Sequence, residues 1–420
     1  MDLGYFYFVL EEFALVYPLF MSYLWIIGGI VYFYHWEDGG KQQVNEPPKL
    51  EQYPPVSIIV PAHNESYAIL ETVNSLTALQ YPEFEIIIVN DGSSDDTAEI
   101  LDDLATRENI RVIHLETNQG KAAAMRVGAL AALHEILVCI DGDAILDQHA
   151  LPWLVRHFES PRVGAVTGNP RVRTRSTLLG KIQVGEFSSI IGLIKRAQRI
   201  YGRVFTVSGV VAAFRRTALS QVGFWDLNKL TDDIDISWRL QMNHWAIRFE
   251  SNALCWILMP ETLKGLWKQR LRWAQGGVEV ALDHAPDLLL WRRRHMWPVF
   301  LEFMLSIIWS YTMLVLGISL LVEQVFDIPT LPNIAEWLPS WGGAILGLTC
   351  LFQFAVSLAI DSRYEKEGLS KFYFWIIWYP VVYWLLNVFT TIVALPKTIL
   401  RRRNQRAVWT SPDRGEQFDG

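Results

Sequence analysis

Four apolar stretches, each long enough to cross the roughly 30 Å hydrocarbon core of a bilayer, constrain this chain more than any other feature. They run from Phe13 to Trp36, Trp297 to Val322, Trp341 to Ile360 and Phe372 to Leu395. The first holds no Asp, Glu, Lys or Arg and is followed by no small-residue cleavage site, so it reads as a retained anchor, not a cleaved leader. If the segment between the first and second stretches is cytoplasmic, three later crossings leave the tail outside. Arg401, Arg402, Arg403 and Arg406 belong by the positive-inside rule on the cytoplasmic face. One stretch is therefore expected to be interfacial or re-entrant, and Pro380 makes the last one the first suspect.

These stretches divide the chain into an anchor (1–36), a Gly- and Pro-containing linker (37–52), a soluble segment (53–296), a second membrane region (297–400) and a basic tail (401–420). Within the soluble segment, four short apolar runs, Val56 to Val60, Glu85 to Val89, Arg111 to Leu115 and Ile136 to Ile140, read as buried parallel strands. Helical patterns at Glu65 to Leu79, Asp95 to Thr106 and Lys121 to Leu133 separate them. This alternation predicts right-handed crossovers and an α/β fold built on a mostly parallel sheet, with ligands at the carboxyl ends of the strands.

Composition narrows the chemistry. Hydrophobic residues make up 51% of the 420 positions, which excludes a disordered chain, and a formal charge of −7 argues against nucleic acid as the partner. The three cysteines, Cys139, Cys255 and Cys350, are too scattered for a disulfide framework or a Cys-type zinc site. Pro61-Ala62-His63-Asn64-Glu65 follows the first strand where a dinucleotide fold carries Gly-x-Gly-x-x-Gly, and Gly120-Lys121 lacks the rest of a phosphate-binding P-loop.

Carboxylates gather where the sheet should bind. Asn90-Asp91-Gly92-Ser93 ends the second strand; Asp91 there can accept from a uracil N–H or a ribose hydroxyl, or simply cap the next helix. The fourth strand runs straight into Asp141-Gly142-Asp143, two acids that repel unless a hard cation such as Mg²⁺ or Mn²⁺ joins them. Thr231-Asp232-Asp233 supplies a candidate base for deprotonating a sugar hydroxyl and also reads as a helix start. Gln269-Arg270-Leu271-Arg272-Trp273 lies in an amphipathic segment, Thr262 to Val280, whose Lys264, Lys268, Arg270 and Arg272 suggest one basic face at a membrane surface. The basic face alone does not explain Gln269, Arg272 and Trp273 together, whereas a diphosphate and a stacked sugar ring do.

In this order, Pro61 to Glu65, Asp91, Asp141-x-Asp143, Thr231-Asp232-Asp233 and Gln269-x-x-Arg272-Trp273 resemble the family 2 processive glycosyltransferases, and the resemblance covers nearly the whole chain. It implies a GT-A-type nucleotide-sugar-binding domain embedded in an α-helical membrane protein, sited in a bacterial inner membrane with the catalytic part cytoplasmic. The family pattern makes Asp91, Asp141, Asp143 and Lys121 donor-binding, Asp143 the metal ligand, Asp233 the catalytic base, and Gln269, Arg272 and Trp273 the acceptor and diphosphate site. Asp232 stands where the family usually has Glu. The runs Arg162 to Pro170, Lys181 to Glu186 and Trp256 to Thr262 are similar to the branch that polymerises N-acetylglucosamine through β-1,6 links. That implies UDP-N-acetylglucosamine as donor, an extruded biofilm polysaccharide as product, and a small two-helix membrane partner with cyclic di-GMP at its interface. The competing expectations are a transferase adding one sugar to a polyprenyl phosphate, and a non-enzymatic transporter or scaffold.

Overall fold

The structure is a computed structural model and describes residues 3–326, 341–365 and 368–401. The expected basic tail lies outside these residues, Arg401 excepted. A first helix, α1 (Leu3–Trp36), leads through the linker into alternating β1 (Val56–Ala62), α2 (Ile69–Thr77), β2 (Phe84–Asp91), α3 (Thr97–Leu104), β3 (Ile110–Leu115), α4 (Lys121–Ala131) and β4 (Ile136–Ile140). The sequence reading finds all four of these strands. It does not find those that complete the sheet. After β5 (Ile145–Leu146) and α5 (Ala150–Val155) come β6 (Val163–Val172), α6 (Leu178–Phe187), a π-helical stretch (Ser188–Ile194), α7 (Lys195–Ile200), β7 (Val211–Arg215), α8 (Arg216–Gln221), α9 (Asp232–Met242) and β8 (Ala246–Ile257).

The strands lie in the order β3-β2-β1-β4-β7-β6-β8-β5. β1 to β4 pair in parallel, and β7 runs antiparallel to both β4 and β6, so the sheet is mixed beyond its parallel half. Alternating side chains explain the burial of both faces. Ile58, Val60, Ile86 and Ile88 pack with α2, α3 and α5, while Ile59, Ile87 and Val89 pack with α4, α8 and α9.

A long amphipathic helix, α10 (Leu263–Leu288), precedes α11 (Trp297–Phe326), α12 (Trp341–Asp361), α13 (Ser370–Ile376) and α14 (Trp384–Leu400). Among the described residues three helices are long and apolar enough to cross a membrane: Leu3–Trp36, Trp291–Glu323 and Trp341–Tyr364. The fourth apolar stretch is not one span. It breaks into α13, a π turn at Tyr379–Tyr383 containing Pro380, and the 17-residue α14. Pro380 brings no N–H and restricts the residue before it. α1 and α11 run antiparallel: Tyr7 hydrogen-bonds Ser319 at 2.8 Å, Trp309 Nε1 donates to the Ala14 carbonyl at 2.9 Å, and Trp25 Nε1 donates to Glu302 at 3.1 Å.

Candidate active site

The loops that leave the parallel strands lock one another. Asp91, last residue of β2, has no exposed surface, and its two carboxylate oxygens accept from the amides of Gln119 and Gly120, each at 2.8 Å. His63 binds the Asp91 carbonyl at 2.8 Å and meets Asn118 at 2.9 Å. Gly92 (φ +59°) presses so closely on this loop that a Cβ there would lie 2.6 Å from the Asn118 nitrogen. The capping expectation for Asp91 is thereby corrected. It does not cap α3, whose Thr97 amide goes to Asp95 at 3.1 Å. Each of its oxygens accepts one loop amide, which leaves lone-pair capacity for the expected uridine contact.

What the locked loop positions is Lys121, first residue of α4. Its ammonium donates to Asp141 and, at 2.9 Å, to the Gly209 carbonyl. Burial alone pulls this lysine down, but Asp141, Asp232 and Asp233 outweigh that and hold it above its ordinary value. Lys121, expected to hold the donor directly, is thus the cation on which the Asp141 and Asp233 carboxylates converge. Asp143 stands two residues beyond Asp141, partly exposed, past a Gly142 whose carbonyl Thr72 grips at 2.9 Å.

Asp233 sits in the first turn of α9, against the Ser208–Gly209 turn: a Cβ at Gly209 would lie 3.2 Å from its carboxylate. Burial first, and Asp232 second, push its pKa up to about 6, against the pull of Lys121, the Ile234 amide and Arg272. Thr231, expected to cap α9, makes no side-chain cap. Its hydroxyl is buried and unpartnered among the described residues, pressed against Gly276 of α10.

α10 supplies the last group. Arg272 is exposed yet its charge reaches Asp233, and Trp273 is 36% exposed. Gln269 keeps a buried carbonyl oxygen with no partner among the described residues. Arg270 departs from the expected basic face. Its guanidinium is buried, pairs with the buried Glu186 of α6, and lies 4.4 Å over the Trp273 ring. A carboxylate buried in the mostly apolar Ile182 to Phe187 run needs a cation, and Arg270 pairs with it. Glu186 carries no site role in the sequence reading, though an acid in an apolar run is a visible signal.

Lys195, at the start of α7, is also absent from the sequence reading. It is buried, donates to Thr167 of β6 at 3.2 Å, and burial pulls it down to about 7, opposed by Asp233. Thr167 in turn accepts from the Ser208 amide at 2.8 Å, so Lys195 and the turn beneath Asp233 share one support.

The Asp141 and Asp143 pair fits a divalent cation of hard preference. Mg²⁺ needs only one or two protein carboxylates, completing its shell with water and substrate phosphates. The described residues hold no cluster of three or more His, Cys, Asp or Glu that could cage a metal.

Residues 54–276 match the family described as "Glycosyltransferase like family 2". The chain is 40% identical over 406 residues to a poly-β-1,6-N-acetyl-D-glucosamine synthase of Staphylococcus epidermidis, covering 96% of this chain and 98% of that protein. It is 39% identical over 407 residues to the synthase of the same name from Staphylococcus aureus, again over 96% and 98%. A mannosyltransferase from Pyrobaculum calidifontis, solved with GDP-mannose and Mn²⁺, superposes with a TM-score of 0.64 at 19% identity, over 93% of this chain and 99% of that one. That likeness shows the GT-A-type fold.

Proposed function

The chain belongs to glycosyltransferase family 2 and is a glycosyltransferase, and we propose that it is a processive one: it joins N-acetylglucosamine from UDP-N-acetylglucosamine into β-1,6-linked poly-N-acetylglucosamine and passes the polymer through the membrane. The observation that carries this reading is the convergence of Lys121 from α4, Asp141 from the end of β4, Asp232 and Asp233 from α9 and Arg272 from α10 on one cluster. Extensive similarity to synthases named for that polymer supports the sugar and the linkage.

In this mechanism Asp141 and Asp143 hold the donor's diphosphate end, with Asp143 the ligand of the divalent cation and Asp91 the buried strut of the uridine-side loop. A bound Mg²⁺ or Mn²⁺ supplies Lewis-acid neutralisation of the charge that develops on the diphosphate. Asp233 takes the proton from the acceptor's primary hydroxyl as that oxygen attacks the anomeric carbon; the bond to UDP breaks on the opposite face, so the configuration inverts. A pKa near 6 makes Asp233 a stronger base than an ordinary carboxylate while leaving it ionised at neutral pH. Trp273 offers a ring face to the acceptor sugar, the free Gln269 oxygen accepts from a hydroxyl, and Arg272 neutralises diphosphate charge.

The membrane placement proposed is multi-pass in a bacterial inner membrane, with the sheet domain cytoplasmic. The spanning-length helices support it, and the broken fourth stretch allows the tail to return to the cytoplasmic side. The family resemblance further suggests a small two-helix partner with cyclic di-GMP bound between the two.

Membranes given radiolabelled UDP-sugars in turn, with and without such a partner and with the product's linkage determined, test the reading. A long β-1,6-linked N-acetylglucosamine polymer is expected. A lipid-linked monosaccharide identifies the single-sugar alternative, and failure of UDP with Mg²⁺ to raise the thermal midpoint revives the scaffold. Asp233→Asn is expected to abolish polymer while UDP still binds; polymer from this variant refutes the base.

A further inference from the structure

Three arginines gather where the sheet domain meets the membrane helices. Arg199 ends α7, Arg203 follows within four residues, and Arg248 lies on β8. Their charges act on one another, for Arg248 and Arg203 both weigh against the protonation of Arg199. All three are partly buried, and no ion pair of theirs is present among the described residues. The Nε atoms of Arg199 and Arg203 are buried without a hydrogen-bond partner. Carboxylates do stand nearby, but they are committed elsewhere. Glu37 pairs with Arg196 and Arg363, and Glu250 with Arg156 at 2.6 Å and His157 at 2.9 Å.

Guanidinium groups half out of water, mutually repelling and lacking an anion, are costly unless a ligand supplies one. Position says which. Tyr32, in the last turns of α1, donates to the carbonyl of Phe249, next to Arg248, at 2.9 Å. Gln198 and Tyr201, flanking Arg199, both reach Glu302 in the second turn of α11. Because α1 and α11 are antiparallel, the end of one and the start of the other share a level, and there Trp36 and Trp291 are 45% and 69% exposed. Exposed tryptophans at helix ends mark the headgroup layer, and basic clusters at that depth recognise acidic lipid phosphates. Further positive charge adjoins: Arg203 acts on His295, which lies beside His244 at 4.9 Å and is also influenced by Arg293.

We propose that Arg199, Arg203 and Arg248 form a binding site for the phosphate of an anionic phospholipid headgroup, wedged between the sheet domain and the start of α11. The site rests on the reading that α1 and α11 cross a bilayer, and not on the sugar chemistry. A phosphodiester bridging the three would offer each planar fork an acceptor that no side chain now provides.

The test uses the full chain purified in detergent, probed with phosphatidylglycerol, phosphatidylcholine and inorganic phosphate, and read by native mass spectrometry and thermal midpoint. Phosphatidylglycerol is expected to remain bound and to raise the midpoint, and phosphatidylcholine to do neither. Arg199→Gln and Arg203→Gln should each weaken it by about fivefold, Arg199→Lys by less, and Arg126→Gln, on an exposed face of α4, not at all. Because Arg203 lies beyond α7, outside any helix or strand, its variant serves if Arg199→Gln fails to fold. Equal binding of the two lipids, undiminished binding by both glutamine variants, or the same midpoint shift from inorganic phosphate alone would overturn the proposal. A chain that stays monodisperse without detergent would instead overturn the membrane reading beneath it.

Discussion

Asp233 and Lys195 form a pair of opposite charge whose titrations overlap, one pushed up to about 6 and the other pulled down to about 7. The groups facing Asp233 are Asp232 on its own helix, Lys121 from α4, Arg272 from α10 and Lys195 from α7; among the described residues Asp233 is the charged group that weighs on Lys195. With Asp233 as base, synthesis should fall as pH drops through about 6, because protonation removes the acceptor of the hydroxyl proton. Lys195→Met withdraws a cation that favours the carboxylate, so that acid limb should move to higher pH, and Lys195→Arg should restore it. A rate profile from pH 5 to 9, as a range of about four units around these two groups, checks both. An unmoved limb in Lys195→Met would separate Lys195 from the base. Both acids of the Asp141 and Asp233 groups were legible in the sequence, because short polar clusters at strand and helix ends announce themselves. Lys195 was not, since only the fold brings it beside Thr167.

At the level of elements, α10 and α9 meet through a glycine. A Cβ at Gly276 would lie 2.2 Å from the Thr231 hydroxyl and 2.3 Å from its methyl, and Thr231 is backbone neighbour to the helix start that carries Asp233. Gly276→Ala should therefore cost about 1–3 kcal/mol by overpacking and lower the turnover more than the UDP affinity, measured by thermal unfolding and by separate kinetic and binding titrations. An unchanged turnover would show that α9 yields without disturbing its first turn. The first four strands are readable because they are unbroken apolar runs. β6 is equally buried along all ten residues, yet it holds Thr167, Asn169, Pro170 and Arg171. Thr167 and Arg171 find partners far along the chain, among them Lys195 and Asp361, and no local pattern discloses such pairings.

For the molecule as a whole, a buried chain of ion pairs ties the sheet to the long apolar helices. Arg171 of β6 reaches Asp361 at 2.7 Å and Glu365 at 3.0 Å; Arg196 of α7 reaches Asp361 at 3.0 Å and Glu37 at 2.8 Å; Arg175 and Arg363 close the ends. Asp361 has no exposed surface, so Asp361→Asn takes one of two carboxylate partners from each of two buried arginines and should destabilise the fold by up to about 3–5 kcal/mol, seen as a lower midpoint in detergent. A midpoint within error of the parent would mean that Glu365 and Glu37 suffice. The route from this junction to the chemistry is short. Thr167 and Arg171 point to the same side of one strand, about 13 Å apart at 3.3 Å per residue, the first bracing the turn under Asp233 and the second anchored to the foot of α12. Under the proposed function, β6 links the foot of α12 to the turn beneath the base, and a variant that slackens this strand is expected to lose bond formation and polymer export in step, not one without the other.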